Sequence, residues 1–242
     1  MTLYCLGSGS SGNCYLLNGE TETLVIEAGV RFADVKRALD FNISRIVGMV
    51  VSHEHGDHAG RLAEYLAAGI HAVAPKSVIE QQSAAGALYC IEARAREWLQ
   101  LGGFSLYPIA VKHDVPCYAY IIQHRECGKL LFVTDTMSFQ YAISGLNHIM
   151  IEADYDDATL DYSIDNGITA GAMRNRLYDT HLELRHAVEV IKRQPSEALR
   201  TVTLLHLSRN NADGEAFRRH VEGCTGLPVF VAKRGLKFSL TQ

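Results

Sequence analysis

The stretch VVSHEHGDHAGRL, residues 50–62, places three histidines and one aspartate within six consecutive positions, directly after a run of apolar residues. Neutral imidazole and ionised carboxylate are the usual ligands of zinc and related divalent ions, and a site needs about four of them per metal in fixed directions. A buried strand that ends in such a turn fixes those directions. We therefore predict four metal ligands here: His53, His55, Asp57 and His58.

The spacing of these side chains divides them between two positions. On an extended backbone alternate residues point the same way, so the first two histidines should face one metal. Asp57 and His58 begin the helix that follows and should turn toward a second metal. We expect Gly56 to relieve the backbone between the two pairs, and Glu54 to be exposed or to lie behind the ligands.

Three further residues of ligand type stand where an apolar strand is predicted to end. His113 follows PIAVK, Asp135 follows LLFVT, and His206 follows TVTLL. A carboxylate can bridge two cations, whereas each histidine nitrogen binds only one. Asp135 is therefore the natural shared ligand of a two-metal site.

The remaining histidines have no ligand spacing around them. His181, in YDTHLELRH, reads locally as the start of a helix, and a functional role for it stays open. The others are predicted to be surface groups or to lie behind the ligands: His71, His124, His148, His186 and His220.

Composition sets the broad class of the protein. The 242 residues carry a formal net charge of −4 and a pI near 6.2, so no global basic field attracts a nucleic-acid backbone. The six cysteines are spread without a CxxC pair, as expected for reduced thiols. No apolar run approaches the roughly 20 residues of a membrane span, and we expect a cytoplasmic protein that does not insert into membranes.

The pattern of elements indicates one domain, residues 1–242, because no stretch resembles a linker or a repeat. Strands fall into two groups, each mixed with helices. The turn GSGSSGN joins the first two strands, and a contact between its backbone and phosphate is left open. Helices are predicted at residues 31–41, 59–69, 76–101 with a weak point at Gly86, 184–194, and 213–223.

These residues, in this order, resemble the metallo-β-lactamase fold superfamily of metallo-hydrolases along nearly the whole chain. SHEHGDH matches the family signature H-x-H-x-D-H. The resemblance implies an α/β fold of the αββα sandwich type, in which two mixed β-sheets pack face to face with helices on both outer sides. It also implies a dinuclear site at the strand ends. One metal would be held by His53, His55 and His113, the other by Asp57, His58 and His206, and both by Asp135.

Within the superfamily the chain looks most like the WalJ/YycJ-like branch, which is similar to the tRNase Z group and to cyclic-nucleotide phosphodiesterases. The motifs that carry this likeness include GSGSSGNCYLL, EADYD and HLSRNN. Two departures stand out. Glu27 occupies a position where the family usually has an aspartate that orients the histidine turn, and THLEL replaces the Gly-His-Leu-Ser often seen in the branch.

The resemblance implies a metal-dependent phosphodiesterase with two divalent ions, Zn²⁺ first and Mn²⁺ second. A metal-bridging hydroxide would attack a phosphodiester in a nucleic-acid end or a cyclic nucleotide. Asp57 would accept the proton of the water, and His181 would protonate the leaving oxygen. Ser208, Arg209 and Asn210 would contact phosphate oxygens, with a solvated turn as the alternative. A homodimer is expected, since related small members complete their cleft from a second subunit.

Two other functions remain open. A thioester hydrolase of the glyoxalase II type shares the full ligand set. A catalytically silent binding module would use the same fold, although such modules lose ligands and this chain has all seven. A lactamase of the commonest type would have cysteine in place of Asp135, and a di-iron oxidoreductase would have glutamate in place of His55. The sequence does not choose between a polymer and a small phosphodiester.

Overall fold

The computed structural model describes residues 1–241, in which the chain forms fourteen strands and nine α-helices. The strands, numbered along the chain, are β1 Thr2–Gly7, β2 Cys14–Asn18, β3 Thr23–Ile26, β4 Ile46–Val50, β5 Ala72–Ala74, β6 Cys90–Glu92, β7 Leu99–Leu101, β8 Phe104–Val111, β9 Cys117–His124, β10 Gly128–Val133, β11 His148–Glu152, β12 Thr201–Leu205, β13 Val229–Val231 and β14 Lys237–Ser239. The helices are α1 Phe32–Ala38, α2 Gly56–Ala59, α3 Leu62–Ala67, α4 Lys76–Glu80, α5 Ala84–Ala87, α6 Asp157–Asp165, α7 Met173–Thr180, α8 Leu184–Arg193 and α9 Gly214–Thr225, with one 3₁₀ turn at Ile43–Arg45.

The strands form two sheets of seven, each with an antiparallel and a parallel half. The first has the order β14-β1-β2-β3-β4-β5-β6, and its parallel half runs from β3 to β6. The second has the order β13-β12-β11-β10-β9-β8-β7, and its parallel half runs from β10 to β13. Parallel neighbours need crossover connections, which place helices on the sheet faces.

Alternation along the strands produces two buried faces on each sheet. Leu130 and Phe132 of β10 lie in one core together with Leu17 and Leu24 of the first sheet, so this core lies between the sheets. Leu131, next to them on β10, faces the other way into a separate core that includes α8 and α9. The outer face of the first sheet packs against α1 and α3 in a third core. The fold is therefore the predicted αββα sandwich.

One predicted helix is wrong. Residues 76–101 form two short helices, α4 and α5, followed by the strands β6 and β7. Ser83 caps α5 by accepting a hydrogen bond from the backbone N–H of Gly86, so a new helix starts there rather than continuing. β6 then pairs in parallel with β5. Such a partner is distant in sequence, and helical spacing of apolar residues does not reveal it.

Smaller differences occur elsewhere. The helix predicted at residues 59–69 is the shorter α3, Leu62–Ala67, and the separate short helix α2 ends at Ala59. The helices α6 and α7 were not predicted. His181 directly follows α7, whereas α8 starts at Leu184, so the histidine ends one helix rather than starting the next. Among the described residues no helix is long and apolar enough to cross a membrane.

Candidate metal centre

The structure brings all seven predicted ligands together at one end of the sandwich. Their nitrogen and oxygen atoms form two groups, and within each group every atom lies within 4.8 Å of the others. The first group is His53, His55, His113 and Asp135, and the second is Asp57, His58, Asp135 and His206. The grouping is the one that the family resemblance implied.

Asp135 lies between the two groups and turns one carboxylate oxygen toward each. Its Oδ1 is 3.3 Å from Nε2 of His58, and its Oδ2 is 3.9 Å from Nε2 of His53. The side chain is almost fully buried. A carboxylate in this position can contact two cations at once.

The imidazoles of the first group are arranged to offer lone pairs. Nδ1 of His113 is 3.1 Å from the backbone oxygen of Thr180, which can only accept, so this nitrogen carries the proton and Nε2 is free. That Nε2 lies 3.2 Å from Nδ1 of His55. Nε2 of His53 is buried and has no hydrogen-bond partner among the described residues. A cation beside these nitrogens would satisfy them together.

The charge of the cluster also fits divalent cations. Within residues 1–241, Asp57, Asp135 and Glu152 form ion pairs only with histidines, and neither lysine nor arginine neutralises them. Although burial disfavours its charge, the neighbouring imidazoles of His206 and His58 hold the pKa of Asp135 well below its usual range. Without a metal ion the positive charge comes from the imidazoles themselves, since the same carboxylates raise the pKa of His58 and of His206 well above the usual range. Bound divalent cations would supply that charge in place of the protons, and the donor set suits zinc and related ions.

Burial also keeps part of the imidazole set neutral. It lowers the pKa of His53 well below the usual range, and it lowers the pKa of His113 as well. A histidine must be neutral to coordinate a metal ion, so these two are poised as ligands.

Glu27, the departure from the family pattern, lies directly behind the second group. It is fully buried, with one oxygen 3.5 Å from Nδ1 of His58, and it accepts the backbone N–H of Ser52 at 3.2 Å. The longer side chain therefore does what the shorter carboxylate was expected to do. It orients His58, a candidate ligand, and the start of the histidine turn.

Three residues of this region have left-handed backbone, which is unfavourable for side chains other than glycine. The φ angles are 67° at Glu27, 45° at Asp135 and 51° at His206, each just beyond the end of a strand. Such a conformation costs on the order of 1–3 kcal/mol per residue and persists only where the surroundings impose it. Here it turns each side chain away from the path of its strand.

The turn GSGSSGN supports the metal centre in addition to joining β1 to β2. Nδ2 of Asn13 is 3.0 Å from Nε2 of His58, and the backbone N–H of Asn13 donates to the carbonyl of Asp57 at 2.7 Å. The Ser8 hydroxyl accepts the backbone N–H of His206 at 2.9 Å. This role of Asn13 was not predicted, although a polar residue that ends a glycine-rich turn is a detectable signal.

The backbone packs closely against the carbonyl of Asp57, and the glycine that this packing requires is Gly29 rather than the predicted Gly56. A Cβ added to Gly29 would lie 1.9 Å from the carbonyl oxygen of Asp57, whereas one added to Gly56 would meet nothing within 4 Å. Gly56 has no left-handed φ either, so the expected relief of the backbone there is wrong. Glu54 is half-buried and lies outside both ligand groups.

Glu152 is a second residue of the site that was missed, although EADYD was noted at the end of its strand. It is fully buried, and its Oε1 accepts a hydrogen bond from Nδ1 of His181 at 2.6 Å. Burial opposes charge on the imidazole, but the attraction of this carboxylate raises the pKa of His181 to about 9. Because Nδ1 is engaged, Nε2 of His181 is the nitrogen available to an adjacent cleft.

That cleft has a volume of about 700 Å³ and opens beside the second ligand group. His181 and His206 line it, and so do the three residues predicted to contact substrate, Ser208, Arg209 and Asn210. For two of the histidines set aside by sequence, His124 and His148, the expected place at the surface or behind the ligands is wrong, because both are buried among residues that are not ligands and neither lines the cleft. His124 contacts Glu22, and His148 lies between Thr201 and the backbone oxygen of Leu240.

The chain was compared with curated proteins, with solved structures and with models of protein families. Among curated proteins none matches the chain at a significant level. Of solved structures, YhfI from Bacillus subtilis, described as a metallo-beta-lactamase fold protein, has a TM-score of 0.75 at 16% identity and covers 98% of this chain and 99% of its own. A diphosphatase from the PhnP family has a TM-score of 0.68 at 16% identity, and the match covers 98% of this chain and 97% of the diphosphatase. Human tRNase Z, short form, has a TM-score of 0.62 at 15% identity, and the match covers 100% of both chains.

At these identities the structures show a shared fold and nothing about substrate. The family model described as Metallo-beta-lactamase superfamily matches residues 7–138, more than half of the chain, including the histidine turn, His113 and Asp135. The likeness to the WalJ/YycJ-like branch rests on the sequence motifs alone. The chain belongs to the metallo-β-lactamase superfamily, whose members are mostly metal-dependent hydrolases.

Proposed function

We propose that this protein is a metal-dependent phosphodiesterase. The observation that carries the proposal is the pair of ligand groups joined by Asp135, with one side open to a cleft that His181 and Arg209 line. Within residues 1–241 this arginine forms no ion pair. Two divalent ions, Zn²⁺ first and Mn²⁺ second, fit the nitrogen and oxygen donors. When bound, such ions make water acidic enough to attack near neutral pH and neutralise charge on phosphate oxygens.

The side chains around the candidate metal centre would transfer protons and bind the phosphate. Asp57, half-buried with Oδ2 3.1 Å from Nε2 of His206, would accept the proton of the attacking water. His181 would donate a proton from Nε2 to the leaving oxygen, while Glu152 keeps the ring in place through Nδ1. Ser208, Arg209 and Asn210 would contact phosphate oxygens from the wall of the cleft, Arg209 through charge-assisted hydrogen bonds.

A combined metal and activity measurement tests the proposal. The purified chain is analysed for bound metal, reconstituted with Zn²⁺ or Mn²⁺, and assayed on bis-p-nitrophenyl phosphate and on S-lactoylglutathione, a thioester. We expect two ions per chain and hydrolysis of the diester. Hydrolysis of the thioester alone would favour the glyoxalase II type of activity. A chain without metal and without activity under either ion would leave only a binding module.

A second assay chooses between a polymer and a small substrate, with duplex and single-stranded DNA, RNA and 3′,5′-cyclic nucleotides compared under both ions. A homodimer is a proposal from the resemblance, and a cytoplasmic location is a proposal from the spread cysteines and the lack of a membrane-length apolar run in the sequence. Light scattering of the purified protein tests the homodimer.

A further inference from the structure

We propose that Arg176, on α7, binds a second anionic group of the substrate, outside the diester that is cleaved. The chemical class we infer is a phosphodiester that carries an additional phosphate beside a nucleobase-sized group. This inference rests on the proposed phosphodiesterase function and deepens it. Arg176 lines the same cleft as His181 and His206 but is neither a predicted ligand nor a predicted substrate contact.

The position of Arg176 is fixed relative to the metal centre by the end of its helix. Leu177, the next residue, is buried against Tyr155 and Leu160. The hydroxyl of Thr180 donates to the backbone oxygen of Arg176 at 2.7 Å, and the backbone oxygen of Thr180 accepts from His113. One short helix thus connects a wall of the cleft to a ligand of the first group.

The segment before α7 is held by hydrogen bonds to the loop that follows His206. The Thr169 hydroxyl donates to the side-chain oxygen of Asn211 at 2.8 Å, and the Ser163 hydroxyl donates to the backbone oxygen of Asn210 at 2.6 Å. Both acceptors follow His206 in the loop that forms the other wall. Hydrogen bonds therefore connect the two walls of the cleft to each other and to the candidate metal centre.

The charge of the cleft favours an anion. Within the described residues, Arg176 and Arg209 form no ion pair, although Arg174 on the same helix pairs with Asp161. The one acidic side chain among the lining residues is Asp154, which is buried with its Oδ1 3.5 Å from Nδ1 of His206. An unpaired guanidinium suits bidentate recognition of phosphate.

The apolar part of the same wall indicates what lies between the two anionic groups. Ile168 and Met173 are 52% and 37% exposed, unusually high for large apolar side chains, and both line the cleft beside Arg176. A flat apolar group would cover them. A cyclic nucleotide offers a base but a single anionic phosphate, whereas a nucleotide with an extra phosphate supplies both features.

Binding measurements test this without turnover. Titration calorimetry with thymidine 3′,5′-bisphosphate and thymidine 3′-monophosphate is carried out on the full chain, as wild type and as Arg176→Ala, Arg176→Lys and Arg174→Ala. We expect Arg176→Ala to weaken binding of the bisphosphate, relative to the monophosphate, by about 10- to 100-fold. Arg176→Lys should lose less, and Arg174→Ala should behave as wild type. Equal weakening of both nucleotides by Arg176→Ala would overturn the inference.

An activity arm separates this inference from the proposed function. Thymidine dinucleotides with and without a terminal phosphate at the 5′ or the 3′ end are compared by kcat/KM. Wild type should prefer one phosphorylated form, and Arg176→Ala should reduce that preference. A wild type that hydrolyses the dinucleotides without any such preference contradicts the role of Arg176. A wild type that hydrolyses no diester contradicts the phosphodiesterase, while the calorimetric comparison still reports on Arg176.

Discussion

At the scale of single residues, the metal centre depends on side chains that leave the path of their strands. Asp135 and His206 follow strands β10 and β12, and their left-handed backbone costs free energy that the fold must offset. Burial and hydrogen bonds impose the conformation, as at Asp135, whose carboxylate accepts from Thr134 at 2.6 Å. Strain of this kind is found where function fixes a side chain.

Replacing Glu27 tests how a residue behind the ligands affects the metal. In Glu27→Gln the carboxylate beside Nδ1 of His58 loses its charge, so zinc affinity measured by chelator competition should fall about 10- to 100-fold. Glu27→Asp keeps the charge and should lose less. Glu54→Gln, in the histidine turn but outside the ligand groups, is the matched control. Wild-type affinity in Glu27→Gln would contradict the role given to Glu27.

Replacing His181 tests proton donation to the leaving group. His181→Ala leaves the seven predicted ligands in place, so both metals should be retained. Turnover of diesters with alkyl leaving groups should fall about 10²- to 10⁴-fold, because an alkoxide needs the proton. A p-nitrophenyl ester, whose leaving group is stable as an anion, should lose much less. An equal loss for both kinds of ester would count against His181 as the donor.

At the scale of elements, the region from α6 to α7 decides what the cleft can accept. Only Leu160, Ser163, Leu177 and Thr180 are buried in its two helices. So few buried positions give a weak periodicity, which is why the sequence did not predict these helices. Their position is set by hydrogen bonds to a distant loop together with the small apolar cluster of Tyr155, Leu160 and Leu177.

The contact between β11 and the end of the chain should make stability depend on pH. Burial lowers the pKa of His148 from an ordinary 6.5 to about 4. Between these values the unfolded chain binds the proton and the folded chain does not. The contribution of His148 to stability is therefore complete above about pH 6.5, and about 3 kcal/mol of it is lost as the pH drops to 4.

Urea unfolding at pH 7 and pH 5, with chelator present, measures this effect. His148→Gln stays neutral and can still donate to the backbone oxygen of Leu240, which His148 contacts at 3.1 Å. Its stability should fall less than that of wild type between the two pH values. Parallel losses in the two proteins would show that other groups are responsible.

At the scale of the whole molecule, bound metal should stabilise the fold. The ligands come from both sheets, so ions that bind the folded chain alone shift the unfolding equilibrium. At 100-fold excess over Kd the gain is about 3 kcal/mol, which for this length raises Tm by about 5–10 °C. Thermal scans with chelator, Zn²⁺ or Mn²⁺ measure it. Asp135→Asn should lose most of the shift, and a Tm indifferent to metal would contradict a metal centre.

The sequence by itself determined the seven candidate ligands, and its resemblance to the superfamily implied the αββα architecture. Ligand residues at the ends of apolar strands form a local pattern, and parallel strands bring those ends to one edge of a sheet. Helix 76–101 was wrong because strand pairing is not local: β6 exists through its bonds to β5.

Only the tertiary structure decided what surrounds the ligands. Glu152 meets His181 across 29 positions of sequence, Asn13 meets His58 across 45, and Arg176 reaches the cleft because the carbonyl of Thr180 contacts His113. Contacts between distant segments depend on how the sheets and loops pack, and the spacing of residues along the chain does not encode them. The physical reason is that a strand fixes where its own end points, whereas only the packed sandwich fixes what lies beside that end.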